Sequence, residues 1–468
     1  MDRPSNRVTD LADRLRSSSS RRAAYRTAFA ALAAAMTVQV PTMARAGGFN
    51  LDHQNAAALG AAFAGAEATR SQAAFAAYNP AAIGVAGHLD VALSVTGVFP
   101  SSEYSDASAT LLGVAPVAGQ SASDGTIQNA AIPNFSLSYT PIEHLSFGLV
   151  VNTPFGLDTE YTDGSILRYQ AQRTALLAVE VTPIVAYEIW PGIVAAAGVR
   201  VQYVDLSVTS IIDAGGIAAA NSIPGFAPGS SDMPASFNGD DTAVGYTLGI
   251  QASPHRMIDL GVAYFSAIEH SIGGNSHFAL GSSVAGQTLN GLTGVFSAQN
   301  FDTKIDTPAS LAIGLRLNAT DRLRVLFSER VMFWSRFDIV SLSFDDGVTP
   351  NERLTQNWRD STMTSLGVEY DLPSRTTLRA GYMYDESPVR GRFASPRIPD
   401  SDRHWISLGV SQSVTDQISA DLGLAYAFFD ERKIRLSGTA TENTLRGSLE
   451  ADIDSSAVAA SLGVRYRF

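Results

Sequence analysis

Residues 458–468 alternate strictly between apolar and small or polar side chains, and no other feature constrains the fold as much. Val458, Leu462 and Phe468 belong to one face, whereas Ser461 and Arg465 belong to the other. A repeat of two residues is that of a β-strand. In a soluble sandwich the polar face meets water. In a transmembrane barrel the apolar face meets lipid and the polar face lines the lumen.

The same alternation recurs along the chain and predicts fourteen strands. We expect them near 88–99, 132–140, 145–152, 176–190, 193–207, 242–252, 257–268, 306–317, 322–334, 356–371, 377–386, 403–414, 418–429 and 454–468. Short turns and long connections alternate between them, as in bacterial barrels. No stretch after Ala46 is apolar over the roughly 18 residues that a spanning helix needs. The pattern therefore predicts an all-β fold, a 14-stranded antiparallel transmembrane barrel over residues 88–468.

Charge and composition exclude several classes of function. The chain has 33 Lys and Arg residues against 45 Asp and Glu residues, a formal net charge of −12, which argues against a nucleic-acid partner. It has no cysteine, so disulfides and thiolate sites are excluded. The seven histidines are scattered, and no nucleophile lies with a base. We expect no enzymatic activity, no metal and no cofactor.

Residues 1–46 have the order of a secretory signal. Arginines run up to Arg26, an apolar stretch covers residues 28–36, and a small-residue cleavage pattern ends at Ala46. The apolar stretch is too short to span a bilayer. The alternative is an amphipathic N-terminal helix of a soluble protein. Export of a chain without cysteine indicates the bacterial envelope, and a barrel indicates its outer membrane.

Residues 47–87 lie ahead of the predicted barrel and are rich in alanine. Alanine and leucine favour short helices, and Asn79-Pro80 marks a turn. This stretch of small side chains predicts a helical hatch folded back into the lumen. A periplasmic linker fits the composition equally well.

Several short motifs are spread along the mature chain. Those ahead of the predicted barrel are Gly48-Phe49, Gly60 with Gly65, and Tyr78-Asn79-Pro80-Ala81. Those within it are Asn152-Thr153-Pro154-Phe155-Gly156, Trp358-Arg359-Asp360, Leu366-Gly367-Val368-Glu369-Tyr370, Leu378-Arg379-Ala380-Gly381-Tyr382 and Glu386-Ser387-Pro388-Val389. Together they resemble motifs of one transporter family, the FadL/TodX-type outer-membrane transporters of long-chain fatty acids and hydrocarbons, and the first set resembles the N-terminal hatch of that family. The resemblance covers essentially the whole mature chain. One departure is Gln72, where family members often have an acidic residue.

An apolar cargo needs an apolar capture surface, since burial supplies about 25 cal/mol per Å². The third and fourth long loops are unusually apolar, and residues 289, 292, 295 and 296 have the spacing of a helical stripe. We expect cargo binding by Phe226, Phe278, Leu289, Leu292 and Phe296. The resemblance also implies an outer groove formed by these loops. Packing of the loops on each other as a cover is the alternative.

A carboxylate on the cargo would also need a cation nearby. Arg200, Arg316 and Arg379 have the lumen-facing parity and are the candidates, although lumen arginines also pair with wall carboxylates. Asp205 lies in a strand where a fatty-acid transporter could place a basic residue. Asp205 weakens the case for a fatty acid and leaves neutral hydrocarbons or aromatics open.

The resemblance implies sideways release of the cargo where the third strand bends beside the hatch. Gly148 lies within that strand, and glycine in a strand often marks a bend, although a small lumen-facing residue is equally compatible. We expect the hatch and gate to include Phe49, Asn79, Pro80, Ala81 and Gly148.

Together these features predict outer-membrane transport of hydrophobic compounds. The expected partners are a hydrophobic small molecule, the surrounding lipid and lipopolysaccharide, and the barrel-assembly machinery. A general diffusion porin for small hydrophilic solutes is the main alternative, and an adhesin that uses only its loops is another. Single-channel conductance separates porin from carrier, because a hatch blocks ion flow.

Overall fold

A closed antiparallel barrel forms the wall of the molecule. The structure is a computed structural model that describes residues 48–84 and 89–468, so the signal expected over residues 1–46 lies outside the described residues. The strands found in the described residues of the wall are β1 Leu89–Leu111, β2 Ala130–Ile142, β3 Leu145–Glu160, β4 Arg173–Trp190, β5 Ile193–Asp213, β6 Asp232–His255, β7 Ile258–Phe265 continued by Ile268–Phe278, β8 Gln299–Thr307 continued by Ser310–Asn318, β9 Leu323–Met332, β10 Ser361–Leu372, β11 Thr376–Asp385, β12 Arg403–Ser413, β13 Ile418–Phe429 and β14 Ser448–Arg467. Pairing of β1 with β14 closes the barrel.

The predicted fold class is confirmed, with fourteen wall strands in the described residues. Several strands extend beyond their predicted outer ends. β1 continues to Leu111 rather than stopping near 99, and β6 begins at Asp232 rather than near 242. Outside the bilayer the outward face meets water, so the apolar alternation ends while backbone pairing continues. For this reason the sequence pattern marks only the part of each strand inside the membrane.

The apolar face of each wall strand is the exposed one. On β1, the side chains of Leu93 and Val95 are 54% and 45% exposed, whereas Ser94 and Thr96 between them are 5% and 0% exposed. This is the arrangement of a wall surrounded by lipid, with small polar residues turned inwards. Among the described residues, none of the helices has the length and apolarity needed to cross a membrane.

Residues 48–84, called the inner segment below, pack against the inner faces of the wall strands. Helix α1 (Ala56–Gly60) contacts β12, β13 and β14, and both Leu59 and Asn79 are fully buried. The segment contains less helix than the alanine content predicts. Its backbone has positive φ at Phe63 (65°) and at Gly65 (70°), which ends regular helix after α1.

Wall glycines let the inner segment approach closely. Gly409 on β12 lies opposite Gly423 on β13 in the ladder. A Cβ atom added at Gly409 would lie 2.6 Å from the Cα atom of Gly60. A contact of that length is closer than two carbon atoms can pack. The inner segment therefore depends on these wall positions having no side chain.

We expect Gly409→Val to lower the free energy of unfolding by about 1–3 kcal/mol, because the added side chain displaces the inner segment. Unfolding in denaturant, followed by tryptophan fluorescence, measures the change. Gly273→Val is the matched control, since a Cβ there meets only Asp302 at 3.6 Å, an ordinary contact. Equal destabilisation by the two substitutions would contradict close packing at Gly409.

Ion pairs and polar contacts also attach the inner segment to the wall. Arg330 on β9 contacts the carboxylates of both Asp52 and Glu67, and all three side chains are buried. Arg465 on β14 donates to Gln72 Oε1 at 2.5 Å. The departure from the family pattern at Gln72 therefore preserves a polar contact between segment and wall.

Candidate functional site

The extracellular loops enclose a cavity of about 1020 Å³, called the outer groove. Its volume is at the upper end of the range of about 300–1,000 Å³ that small-molecule sites occupy. One side of the groove is apolar and includes Ile211, Ile212, Ile217, Ile223, Phe278, Leu289, Leu292, Val295, Phe296 and Phe344. A chain of apolar atoms placed along this side would be removed from water.

Four of the five apolar residues expected to bind cargo line the outer groove: Phe278, Leu289, Leu292 and Phe296. The fifth, Phe226, packs against the same apolar cluster without lining the groove. Phe226 therefore supports the groove from behind.

Helix α2 (Ala214–Ala220) contributes Ile217 to the apolar lining, and helix α3 (Val284–Thr293) contributes Leu289 and Leu292. The stripe predicted from Leu289 to Phe296 is helical only over its first part, because Gly294 ends α3 with φ of 80°. The chain then turns and brings the ring of Phe296 to 5.3 Å from that of Phe278, measured between centroids. A contact between two tilted aromatic rings, and not a continuous helix, thus places Phe296 at this end of the groove.

Other residues that line the groove are polar. Arg446 donates to Glu352 at 2.6 Å and joins two extracellular loops, and Glu442 accepts from the Thr355 N–H at 3.0 Å. Arg353 also lines the groove, and its side chain is exposed. The groove is therefore amphipathic, with both apolar and polar lining residues.

Phe49 lies at the centre of a buried aromatic cluster. Its ring centroid is 4.7 Å from Trp334, 5.4 Å from Phe337, and 5.8 Å from both Phe155 and Trp358. Most of these pairs meet edge to face, a favourable geometry for aromatic rings. The cluster joins the inner segment to β3, through Phe155, and to the loops that carry the two tryptophans.

The ladder between β2 and β3 ends early, at Phe135 opposite Val151. Beyond that pair the register of β3 against β4 shifts between Asn152 and Phe155. The interruption at residues 152–155 is called the β3 break. It contains Pro154, which lacks the N–H that a ladder needs.

The inner segment supplies backbone partners at the β3 break. Leu51 N–H donates to Pro154 O at 2.8 Å, and Gly156 N–H donates to Phe49 O at 2.9 Å. A small cavity of about 50 Å³ lies beside the break and is bordered in part by Asn152 and Arg200. It is too small for an alkyl chain or an aromatic ring. Passage of cargo at this point therefore requires residues 49–51 to move.

The turn at Asn79-Pro80-Ala81 fixes the other end of the inner segment. Asn79 Oδ1 accepts from the Ala81 N–H at 3.0 Å, and Asn79 Nδ2 donates to Glu67 O at 2.8 Å and to Ile250 O at 3.2 Å. Asn79 thus holds the turn in shape and attaches it to β6. Ala76, Ala77 and Tyr78, just ahead of it, border the small cavity beside the β3 break.

Gly148 lies inside the intact ladder, opposite Ser138 on β2 and Ile184 on β4. A Cβ atom there would come within 2.7 Å of Ile83 Cδ1. Gly148 is therefore a small lumen-facing residue that makes room for the inner segment. The irregularity of β3 lies further along the strand, around Pro154.

The three lumen arginines all pair with wall carboxylates. Arg200 binds Glu180 at 2.8 Å, whereas Arg316 and Arg379 share Glu369 at 2.6 and 2.8 Å. None of the three lines the outer groove, although Arg200 borders the small cavity. Within residues 48–84 and 89–468, no cluster of His, Asp and Glu residues could hold a metal ion.

Sequence reasoning did not predict that the aromatic partners of Phe49 contact it. The predicted strands near 322–334 and 356–371 contained Trp334 and Trp358, and Phe155 and Trp358 lay in the family-like motifs. In the structure Trp334 and Phe337 lie in a loop after β9 and Trp358 lies ahead of β10, so strand periodicity does not place their rings. The signal available was composition, because the chain has only four tryptophans and Trp334 and Trp358 flank one loop. Large aromatic residues in such positions usually bury their rings, as these do.

A family of known proteins shares this architecture. Residues 37–468 match the family model described as outer membrane protein transport protein (OMPP1/FadL/TodX). The chain belongs to this family. It is an integral outer-membrane transport protein, and its wall of fourteen strands fits a family transporter better than a general porin.

Relatives in the family are distant in sequence but align over most of their length. Outer membrane protein P1 of Haemophilus influenzae is 26% identical over 85% of this chain and 92% of its own. The long-chain fatty acid transport protein of Escherichia coli is 24% identical over 85% of this chain and 90% of its own.

Solved structures share the fold. A FadL homologue of Pseudomonas aeruginosa superimposes with a TM-score of 0.80, at 22% identity, over 90% of this chain and 100% of its own. The toluene transporter TodX of Pseudomonas putida gives 0.62 at 16% identity, over 90% and 100%.

Proposed function

We propose that this protein carries long-chain fatty acids or aromatic hydrocarbons across the outer membrane. The outer groove is the observation that carries the proposal, because its volume of about 1020 Å³ and its apolar lining residues suit such molecules. From the groove, cargo passes the aromatic cluster around Phe49 and leaves sideways at the β3 break.

The charges of the lumen support sideways release. Glu369 is bound by Arg316, Arg324 and Arg379, and Arg324 also pairs with Asp371. An apolar cargo moving down the lumen past these groups would have to separate them from their partners and from water, which is costly. A lateral path through the wall avoids this cost.

The remaining assignments belong to the same proposal. Residues 1–46 direct export, residues 47–87 act as the hatch, and residues 88–468 form the barrel. The protein acts as a carrier rather than an enzyme. Lipid and lipopolysaccharide surround the exposed apolar wall, and the barrel-assembly machinery inserts it.

Uptake of labelled oleate and labelled toluene, in cells with and without this gene, tests the proposal. We expect uptake of at least one of the two compounds to depend on the gene. Gene-independent uptake of both, together with large steady single-channel steps for the purified protein, would favour the diffusion porin instead.

We expect Phe296→Asp to reduce uptake at limiting cargo concentration at least about fivefold, since a buried Phe side chain is worth about 1.5–3 kcal/mol of apolar burial. The control is Val114→Asp, which places the same charge on an extracellular side chain that is 80% exposed and does not line the groove. Initial uptake rates at matched surface expression are the measurement. Equal uptake by the two variants would argue against capture in the groove.

A further inference from the structure

The loop between β11 and β12 folds inwards and places Arg397 beneath the outer groove. Two hydrogen bonds from β3 and the residue after it hold the backbone of the loop at this point. Tyr161 Oη donates to Pro396 O at 2.7 Å, and Thr159 Oγ1 donates to Arg397 O at 3.0 Å. The side chain of Arg397 is only 7% exposed.

The guanidinium of Arg397 is bound only by neutral oxygens. It donates to Ser210 Oγ at 2.6 Å, to Thr174 Oγ1 at 3.1 Å and to Thr209 O at 3.5 Å. Among the described residues no carboxylate lies within ion-pair distance, and its Nε atom has no acceptor. A buried charge without a counterion is unfavourable, and burial lowers the pKa of Arg397 to about 10.

Ser210 connects this charge to the outer groove, which it lines. Because Ser210 Oγ accepts from Arg397, the hydroxyl hydrogen remains available to an acceptor in the groove. A hydroxyl that accepts from a cation is polarised, and it becomes a stronger donor towards an anion.

The carboxylates that line the groove already have partners of their own. Glu352 binds Arg446, Glu442 accepts from a backbone N–H, and Asp213 accepts from the N–H groups of Gly216 and Gly229. None of the three forms an ion pair with Arg397; Glu352 favours the charged guanidinium through space, and its partner Arg446 opposes that effect.

We propose that Arg397, acting through Ser210, is a positioning residue that selects amphiphiles with a carboxylate head over neutral hydrocarbons of the same length. This inference rests on the proposed function, because it concerns cargo in the same groove. The ligand's carboxylate accepts from Ser210, while its chain packs against the apolar residues that line the groove.

Asp205 does not oppose this assignment. Its side chain is exposed, whereas those of Val204 and Leu206 on either side are buried. Asp205 is thus on the outward face of β5, away from the groove.

Binding of dodecanoate and of 1-dodecanol at pH 8, to the full-length protein in lipid nanodiscs, tests the proposal. We expect the wild type to favour dodecanoate at least about tenfold, the order of a charge-assisted hydrogen bond. Arg397→Met should bring the ratio of affinities to within about twofold, with dodecanol binding unchanged. Arg397→Lys should restore part of the preference. Arg392→Met, in the same loop and exposed, is the control and should leave the ratio unchanged.

The outcomes separate this proposal from the function it rests on. If Arg397→Met binds both ligands with the wild-type ratio, the role of Arg397 is wrong and capture in the groove stands. If the wild type binds toluene but neither of these ligands, the role of Arg397 is wrong and the proposed function stands; if it binds none of the three, the proposed function fails as well. Should Arg397→Met not fold, judged by its heat-dependent shift on gels, Ser210→Ala replaces it. Ser210→Ala is expected to lose the same preference, and retention of the full preference would overturn the proposal.

Discussion

Deletion of residues 48–84 is expected to turn the protein into an open channel. The inner segment occupies the lumen and is buried along most of its length. The wall residues behind it are small and polar, among them Ser94, Thr96, Ser136, Ser407 and Ser461. A barrel of fourteen strands is too wide for its own side chains to fill, unlike a barrel of about eight strands. Once the inner segment is removed, water and ions should occupy its place.

Conductance in planar bilayers measures this effect. We expect the deletion variant to show steady conductance at least about tenfold above that of the wild type, because an aqueous path replaces packed protein. The same variant should admit hydrophilic antibiotics to cells. A folded deletion variant that stays closed would show that the wall itself seals the lumen, contrary to this account.

A point substitution provides a second test of whether the inner segment closes the lumen, in case the deletion variant does not fold. Arg330→Met keeps the whole inner segment but leaves Asp52 and Glu67 buried without their cation. Removing one member of a buried ion pair typically costs about 3–5 kcal/mol. We therefore expect Arg330→Met to loosen the segment and to give intermittent current, whereas an unchanged closed state would contradict its role as an attachment.

The wall was predictable because lipid imposes one rule on every strand. Leu93 and Val95 on β1 must be apolar to face acyl chains, so period-two alternation marks each crossing. That rule ends at the bilayer surface, and the extension of β1 to Leu111 was therefore invisible in the pattern. The inner segment was predicted less well. Its alanines favour helix, but its backbone has positive φ at Phe63 and Gly65. The segment takes this path because it fills the space that the wall glycines leave.

The groove was predictable in part, because apolar residues in extracellular loops usually mark a surface that binds something. Phe278 and Phe296 could be predicted from the sequence as cargo-binding residues. The contact between their rings could not, because it depends on the turn at Gly294. Arg397 could not be found, since one arginine in a loop looks like a solvated charge. Only the fold shows it buried among neutral oxygens, and only the fold shows Arg316 and Arg379 bound to Glu369.

Cross-linking β2 to β3 at the β3 break is expected to stop transport. The chain has no cysteine, so an engineered pair supplies the only thiols. Asn134 and Asn152 follow the last ladder pair, Phe135 opposite Val151, and both are buried. Asn134 Nδ2 and Asn152 Oδ1 also have no hydrogen-bond partner among the described residues. A disulfide between Asn134→Cys and Asn152→Cys requires Cα atoms about 4.4–6.8 Å apart, so its formation would hold the two strands together.

The matched control places the pair inside the intact ladder, at Ser136→Cys and Val150→Cys. These two positions are already directly opposite each other and face the lumen. A disulfide there joins the same strands without closing the break. It should leave uptake unchanged in both the oxidised and the reduced protein.

The most direct test of lateral release is therefore cargo uptake by the Asn134→Cys, Asn152→Cys variant before and after reduction, with cross-linking verified by mass spectrometry. The account predicts that uptake by the oxidised protein falls at least about tenfold, since the disulfide prevents the proposed exit at the β3 break from opening, and that a reductant restores it. Wild-type uptake by the fully cross-linked protein would show that cargo leaves by another path.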